Sequence, residues 1–391
     1  MISDQKSLTS EPTENWKIPL YKVFTDDEDL KIVERVIKRG SMWAMGPEIE
    51  ELENGIQEYL GIDYCTVLNS GTSALHALLI ANEIKQNDEV IVPSFSFIST
   101  ANSVLFVNAD PVFADIEEET FGLNPQLINE KITAKTKAII PMDYGGMSCK
   151  INEIKDIAKS NNITLIEDAA EGLGSKVEGK KVGTVSTSAI FSFCGNKVLT
   201  TGEGGAVITK DKKIDEKIKA IRSHGRIDKN YFENPFSSQY LDVGYNWRMS
   251  SITAALGVSQ LQKLDKLIEM RQKNAKFISS KLKKFSQVMV PTPPKNFEHI
   301  YQMYTIRLKD KSIRDKLQKF LLGEKIFSKI YFLPIHLFPF YKEHFHMKKG
   351  MLPITEKVSE EILTLPMYPN MTNEEKSYLT SALEEFFEDL K

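Results

Sequence analysis

The segment Phe191-Ser-Phe-Cys-Gly-Asn-Lys197 carries a lysine just beyond an apolar, strand-like run. The lysine sits in a turn that holds Gly195 and Asn196, and a glycine cluster, Gly202-Glu-Gly-Gly205, follows. Lysine can condense with an aldehyde cofactor as a Schiff base and then carry protons. By itself, one lysine among 50 basic residues reads as a solvated charge. The glycine cluster matches neither GxxxxGK[ST] nor GxGxxG. Upstream, Leu165-Ile-Glu-Asp168 ends an apolar run on carboxylates. Parallel α/β sheets bind ligands at the C-terminal ends of their strands, and an aspartate there can keep a pyridinium nitrogen protonated so that the ring is an electron sink. The same aspartate would serve as a helix N-cap. Further upstream, Leu68-Asn-Ser-Gly71-Thr72-Ser ends a strand and opens a helix. That junction offers backbone N–H groups and hydroxyls at a positive helix end, either a phosphate seat or an ordinary capped helix. In chain order the three features are a phosphate seat, an acidic strand end and a lysine.

The elements around them alternate. Apolar runs at Tyr64–Leu68, Glu89–Val92, Val112–Ala114, Ala138–Ile140, Ile163–Ile166, Ala189–Phe193 and Ala206–Thr209 read as seven strands, with helical patterns at Ser73–Ala81 and Ser99–Phe106 between them. Strands that are apolar throughout and alternate with helices imply a largely parallel sheet covered on both faces. Ahead of the sheet, Thr25-Asp-Asp-Glu28 predicts a capping box on Thr25, opening a helix with Leu30, Val33, Val36 and Ile37 on one stripe. A second helix follows Gly46-Pro47 and stops at Gly61. A long Lys-rich amphipathic helix, Leu264–Leu282, leads into a break at Pro291, Pro293 and Pro294. Beyond it come a strand (Met303–Leu308), a helix (Ile313–Leu322), an aromatic loop (Phe332–Tyr341) and a final helix (Asn373–Leu390). The expected organisation is α/β: a flexible N-terminal arm at 1–17, a large domain at 18–264, and a smaller α+β domain at 265–391.

Composition narrows the function classes. Of 391 residues, 41% are hydrophobic and 26% charged, with a formal net charge of −3, so nothing points to nucleic acid. Cys65, Cys149 and Cys194 are odd in number and lack CxxC spacing, which indicates neither a disulfide framework nor a zinc site. No run approaches the roughly 20 apolar residues of a membrane span, and the polar start MISDQKSLTSEPTENW lacks the core of a signal peptide. A soluble cytoplasmic protein is expected.

The motifs SGTSALHALL, VPSFSFISTANSV, IEDAAEGLGS, SFCGNKVLTTGEGGAVIT, IRSHGR and GYNWRMSSITAALG resemble, segment by segment, the DegT/DnrJ/EryC1/StrS family of nucleotide-sugar aminotransferases. The likeness continues through PIHLFPFY and LPMYPNMTNEE and covers more than nine tenths of the chain; its wording is most similar to the perosamine-synthase branch. The resemblance implies a fold-type I transferase dependent on pyridoxal 5'-phosphate (PLP), with pyridoxamine 5'-phosphate (PMP) as the other cofactor form. Lys197 matches the Schiff-base lysine and Asp168 the partner of the pyridine nitrogen. Glu171 falls near the cofactor's 3' oxygen. Gly71, Thr72 and Ser192 match the phosphate seat, and Phe97 matches the aromatic that stacks on the ring. Asn246 and Arg248 lie in a segment that reaches the neighbouring subunit's cofactor, which implies a homodimer with shared sites. His336, Tyr331, His224 and Arg226 are candidates at the sugar end.

The implied reaction takes an amine from L-glutamate, releases 2-oxoglutarate, and aminates a nucleotide-linked keto sugar, most similar to a 4-keto-6-deoxy hexose; a 3-keto sugar is the alternative. A PLP-dependent sugar dehydratase of the same fold carries His at the lysine position, against Lys197 here. A regulatory role finds no basic helix pair, and a Rossmann oxidoreductase finds no GxGxxG. Three departures from the family wording stand out: Asp143 where His is common, Tyr368 where many members have His, and Cys194 where an aromatic or His is usual.

Overall fold

The computed structural model describes residues 16–226 and 239–390; the expected arm lies outside them except for its last two residues. Seven strands form one sheet: β1 (Tyr64–Leu68), β2 (Glu89–Pro93), β3 (Asp110–Ala114), β4 (Thr136–Ile139), β5 (Thr164–Asp168), β6 (Ser188–Ser192) and β7 (Gly205–Thr209). The spatial order is β1-β7-β6-β5-β4-β2-β3. β7 runs antiparallel to both its neighbours, β1 and β6, while the β6-β5-β4-β2-β3 pairs are parallel. The expected largely parallel sheet therefore has one reversed member. A parallel return needs a crossover of a dozen or more residues, usually a helix. Residues 193–204 between β6 and β7 are held instead as a folded loop by Phe193 N–H to Gly204 O (2.9 Å) and Thr201 N–H to Phe193 O (2.9 Å). That loop carries Lys197.

The continuous apolar strands are explained by burial on both faces. Ile190 and Val207 join one cluster with Leu75, Leu78 and Val92. Their neighbours Ala189, Phe191, Ala206 and Ile208 join another with Leu52, Ile56 and Val67. Successive side chains of a strand point to opposite faces, so each face needs its own helical cover. Helices α1 (Asp27–Arg39), α2 (Pro47–Leu60), α3 (Gly71–Ala81), α4 (Ile98–Phe106), α5 (Ile151–Ser160), α6 (Lys212–Ile221) and α7 (Ser251–Gln262) accompany the sheet. The N-cap of α1 is Asp26, one residue later than the sequence pattern placed it, with Asp29 closing the capping box. Val36 of its stripe is fully buried, but Leu30 and Ile37 remain exposed.

A third core lies in the C-terminal part. It contains Tyr304 and Ile306 of a strand Tyr304–Leu308, Leu363 and Leu365 of a strand Ile362–Leu365 that the sequence reading did not mark, and Leu383 and Phe387 of the last helix. The long helix α8 (Leu264–Leu282) is common to two cores: Leu264, Leu267 and Ile268 pack with the sheet, Ala275, Ile278 and Leu282 with the C-terminal cluster. Ile18 also belongs to the C-terminal core, through Ile18 N–H to Lys325 O and Phe327 N–H to Ile18 O (2.9 Å). The start of the described chain thus packs on the C-terminal core. A short extended piece such as residues 16–20 has no periodicity to reveal which core it joins. No described helix is long and apolar enough to cross a membrane.

Candidate active site

Register brings the three sequence features to one edge of the sheet. Asp168 pairs with Ile190, Ser192 with Gly205, and Gly205 with Leu68. The residues that follow Leu68, those that follow Asp168, and the loop after Ser192 therefore leave the sheet side by side.

Within the loop, Lys197 N–H donates to Cys194 O (2.9 Å), which turns the side chain back toward the strand ends. The Lys197 Nζ lies 3.0 Å from Glu171 Oε1. Glu171 is buried, and its Oε2 accepts from Gly145 N–H at 2.9 Å. The pair thus has one carboxylate oxygen for the amine and one anchored to backbone.

Asp168 is almost fully buried and, among the described residues, pairs with no cation. Its Oδ2 accepts from the Thr100 hydroxyl (2.7 Å) and its Oδ1 from Ala170 N–H (3.2 Å). Burial pushes its carboxyl up to about 6, while Thr100, the Ala170 amide and the charge of Lys197 pull the other way. Thr100 in turn is 2.6 Å from Ser96 Oγ. Thr100 was not singled out in the sequence. Its signal is faint: a hydroxyl four residues after Ser96, on the buried side of an apolar helix.

The junction after β1 is close-packed. Ser70 caps α3 by accepting from Ser73 N–H (3.1 Å), and Ser73 Oγ donates to Asn69 Oδ1 (2.7 Å). A Cβ placed on Gly71 would come within 3.0 Å of Ser192 Cβ, and one on Gly205 within 2.6 Å of Gly71 N and the Ser70 carbonyl. Gly71 at the N-terminus of α3 thus packs directly against Ser192, and a helix N-terminus is the setting that favours a phosphate. Gly205→Ala would have to push backbone against backbone. We expect it to destabilise the fold by about 1–3 kcal/mol and to weaken affinity for PLP, checked by thermal unfolding and by cofactor titration of the folded fraction.

A lysine paired to a buried carboxylate, a buried aspartate at a strand end and a helix N-terminus packed against Ser192 together fit an aldehyde cofactor that carries a ring nitrogen and a phosphate. Over residues 24–384 the chain matches the model of the DegT/DnrJ/EryC1/StrS aminotransferase family. The chain belongs to that family. GDP-perosamine synthase of Escherichia coli O157:H7 is 33% identical over 373 residues, 95% of this chain and 99% of that protein. Helicobacter pylori PseC, an aminotransferase involved in the biosynthesis of pseudoaminic acid, has a TM-score of 0.89 at 28% identity, covering 95% of this chain and 99% of that one. The PMP form of Spr1654 from Streptococcus pneumoniae has a TM-score of 0.88 at 25% identity, over 95% and 98% of the two chains. The fold is that of the fold-type I transferases, and the protein is a sugar aminotransferase.

The remaining candidates of this family member are placed unevenly. Phe97 is the N-cap residue of α4, 56% exposed, with its ring 6.4 Å from that of Phe332. Tyr331 is half-buried; its carbonyl accepts from the Tyr144 hydroxyl, and Lys329 Nζ stands 4.6 Å over its ring. His224 has a positive φ of 62° and donates its N–H to Tyr245 O. Asn246 is exposed and offers its carbonyl, rather than its side chain, to Asn69 Nδ2. Arg248 donates to Ser223 Oγ at 3.3 Å, and Arg226 donates to the same oxygen at 3.1 Å. Burial and the neighbouring charges of Arg226 and Arg222 hold the Arg248 guanidinium below its usual range.

His336 is not brought to the surface of the site. It is fully buried, with Nδ1 2.7 Å from Ser94 Oγ and Nε2 3.1 Å from Glu356 Oε1. Both ring nitrogens are occupied in joining the end of β2 to the helix Pro353–Glu361. The departures Asp143 and Tyr368 are also fully buried. Asp143 Oδ1 accepts from Cys149 N–H (2.8 Å), and burial together with the adjacent Glu167 pushes its carboxyl well up.

Proposed function

We propose that this sugar aminotransferase uses PLP held by Lys197 to pass the amino group of L-glutamate to the keto carbon of a nucleotide-linked 4-keto-6-deoxy hexose, and that it works as a homodimer. The observation that carries the reading is the Lys197–Glu171 contact of 3.0 Å with a buried Asp168 that pairs with no cation among the described residues. Once bound, the cofactor supplies an electron sink for the bonds of the amino-bearing carbon. Gly71 and Thr72 at the start of α3, with the Ser192 hydroxyl, would hold its phosphate. Asp168 would keep the ring nitrogen protonated, and it is prepared for this because a buried carboxylate without a cation gains most from an N–H⁺ partner. Lys197 Nζ, when free, would take a proton from one carbon and return it to another. Glu171 Oε1 keeps that amine directed, and Phe97 supplies an aromatic face above the strand ends.

The acceptor sugar is read from the relatives named GDP-perosamine synthase, which are 32–35% identical. The dimer is supported by the run before Asn246, where Tyr240, Leu241 and Val243 are 56%, 62% and 79% exposed, large apolar side chains close in sequence that a second chain would cover. The test is a panel of GDP-, dTDP- and UDP-linked 4-keto-6-deoxy and 3-keto sugars offered with L-glutamate. A 4-keto sugar should be aminated with one 2-oxoglutarate released per amine. Turnover of 3-keto sugars alone would remove the 4-keto part of the reading. Sedimentation should give a mass of two chains.

A further inference from the structure

We infer that Gln302, from the C-terminal part of the chain, is a positioning residue for Lys197, held in place by the buried Arg271; the inference rests on Lys197 being the reacting amine. Gln302 is nearly fully buried, and its Nε2 donates to the carbonyl of Asn196, the residue before Lys197, at 2.7 Å. A carbonyl oxygen only accepts, so the amide nitrogen must face it. The Gln302 Oε1 on the other side is buried and accepts from no described residue.

The same segment reaches the other half of the ion pair. Ile300 N–H donates to Gly146 O (2.9 Å) and Met303 N–H to Gly145 O (3.0 Å). Gly145 N–H in turn holds Glu171 Oε2 (2.9 Å), the carboxylate whose other oxygen meets Lys197. A Cβ on Gly146, which has φ +100°, would stand 2.8 Å from Gln302 N, so the two backbones are as close as glycine allows. Residues 300–303 therefore touch the backbone beside Lys197 and the backbone that anchors Glu171. They fix both ends of one contact from a single rigid piece.

Arg271 is what makes the piece rigid. It projects from α8, is 2% exposed, and donates through Nη1 to the carbonyls of Tyr301 (3.1 Å), Gln302 (3.4 Å) and Met367 (3.1 Å). Burial pushes its guanidinium down to about 10. A cation buried on backbone carbonyls is costly to place, and here it joins α8 to the strand entry at residues 301–302 and to the segment after Leu365. The route from the C-terminal core to the lysine is Arg271, the 301–302 backbone, the Gln302 amide, Asn196 O.

The experiment compares full-length Gln302→Leu, which keeps size and loses the donor, with Gln302→Asn, which keeps the donor on a shorter arm. Three quantities are read: kcat and KM for the sugar, the pH dependence of Lys197 acylation in the cofactor-free protein followed by peptide mass spectrometry, and thermal unfolding. For Gln302→Leu, kcat should fall about tenfold with KM within about twofold, since a small misplacement of a reacting group acts on the chemical step. The acylation profile of apo Lys197 should move in the same variant, with partial recovery of both in Gln302→Asn. Wild-type kcat and acylation profile in Gln302→Leu would overturn the inference, as would a kcat loss that only tracks the unfolded fraction. If instead wild-type Lys197 neither binds PLP nor turns over, the underlying reading of Lys197 fails, which the wild-type arm reports separately.

Discussion

Replacing Lys197 with alanine is expected to lower amination of the sugar by at least about 10²–10⁴-fold, the share that a positioned proton carrier contributes, and to remove the visible absorption of the lysine-bound cofactor. The substitution has a second effect. Glu171 has a side chain only 4% exposed, and without the ammonium its carboxylate keeps only the Gly145 amide. Breaking a buried pair from one side leaves an uncompensated charge, which is destabilising. Lys197→Ala should therefore unfold at a lower temperature than the wild type, and Lys197→Ala with Glu171→Gln should recover stability without recovering activity. Restored turnover in the double variant would show that Lys197 acts through Glu171's charge and not as the reacting amine. The assay is amine formation with L-glutamate, alongside absorbance spectra and melting curves for all three proteins.

Asp168→Asn should separate activity from stability in the opposite sense. Amination should drop by about two to three orders of magnitude, the scale of losing one preorganised electrostatic partner, because an amide cannot hold a ring nitrogen in its protonated form. In the cofactor-free protein the wild-type carboxyl titrates at about 6, above the roughly 3.9 of an unfolded aspartate. The folded state thus binds the proton more tightly. Below about pH 4 the carboxyl is protonated in both states and carries no penalty. As pH rises from 4 through 6 the unfolded form ionises first and the fold loses stability, about 2–3 kcal/mol in all. Asparagine has no such titration. Apo Asp168→Asn should gain stability over apo wild type as pH rises from 4 to 7, offset in part because its NH₂ would face Thr100 or the Ala170 amide. Denaturant melts of both apoproteins across that range read it directly. A difference that does not change with pH would mean that Asp168 is not the buried, cation-free acid described here. Saturating PLP should reverse the order, because the wild type alone gains a cationic N–H partner.

The sequence alone determined the composition of the sheet. Each strand of the large sheet was visible as a short apolar run bounded by polar or glycine residues, since a strand covered on both faces has no polar side to show. It also showed Gly71, Asp168 and Lys197 each at or just past the C-terminal end of an apolar run, where each residue type alone has an ordinary structural use and only their order and the long motifs around them pointed to one site. The long motifs carried the family. What the sequence did not fix was anything set by contacts between distant segments. The reversal of β7 depends on the 193–204 loop closing on itself through Phe193, Thr201 and Gly204. The cap of α1 moved by one residue because Asp26, a stronger cap than Thr25, finds Asp29 three residues on to close the capping box. Thr100 became the partner of Asp168 across 68 positions, and Gln302 the support of Asn196 across 106. His336 is buried because Ser94 and Glu356 converge on its two nitrogens. A hydrogen bond between remote residues leaves no periodic trace in either segment, so the tertiary structure decided which polar side chains face the chemistry and which serve to hold the core around it.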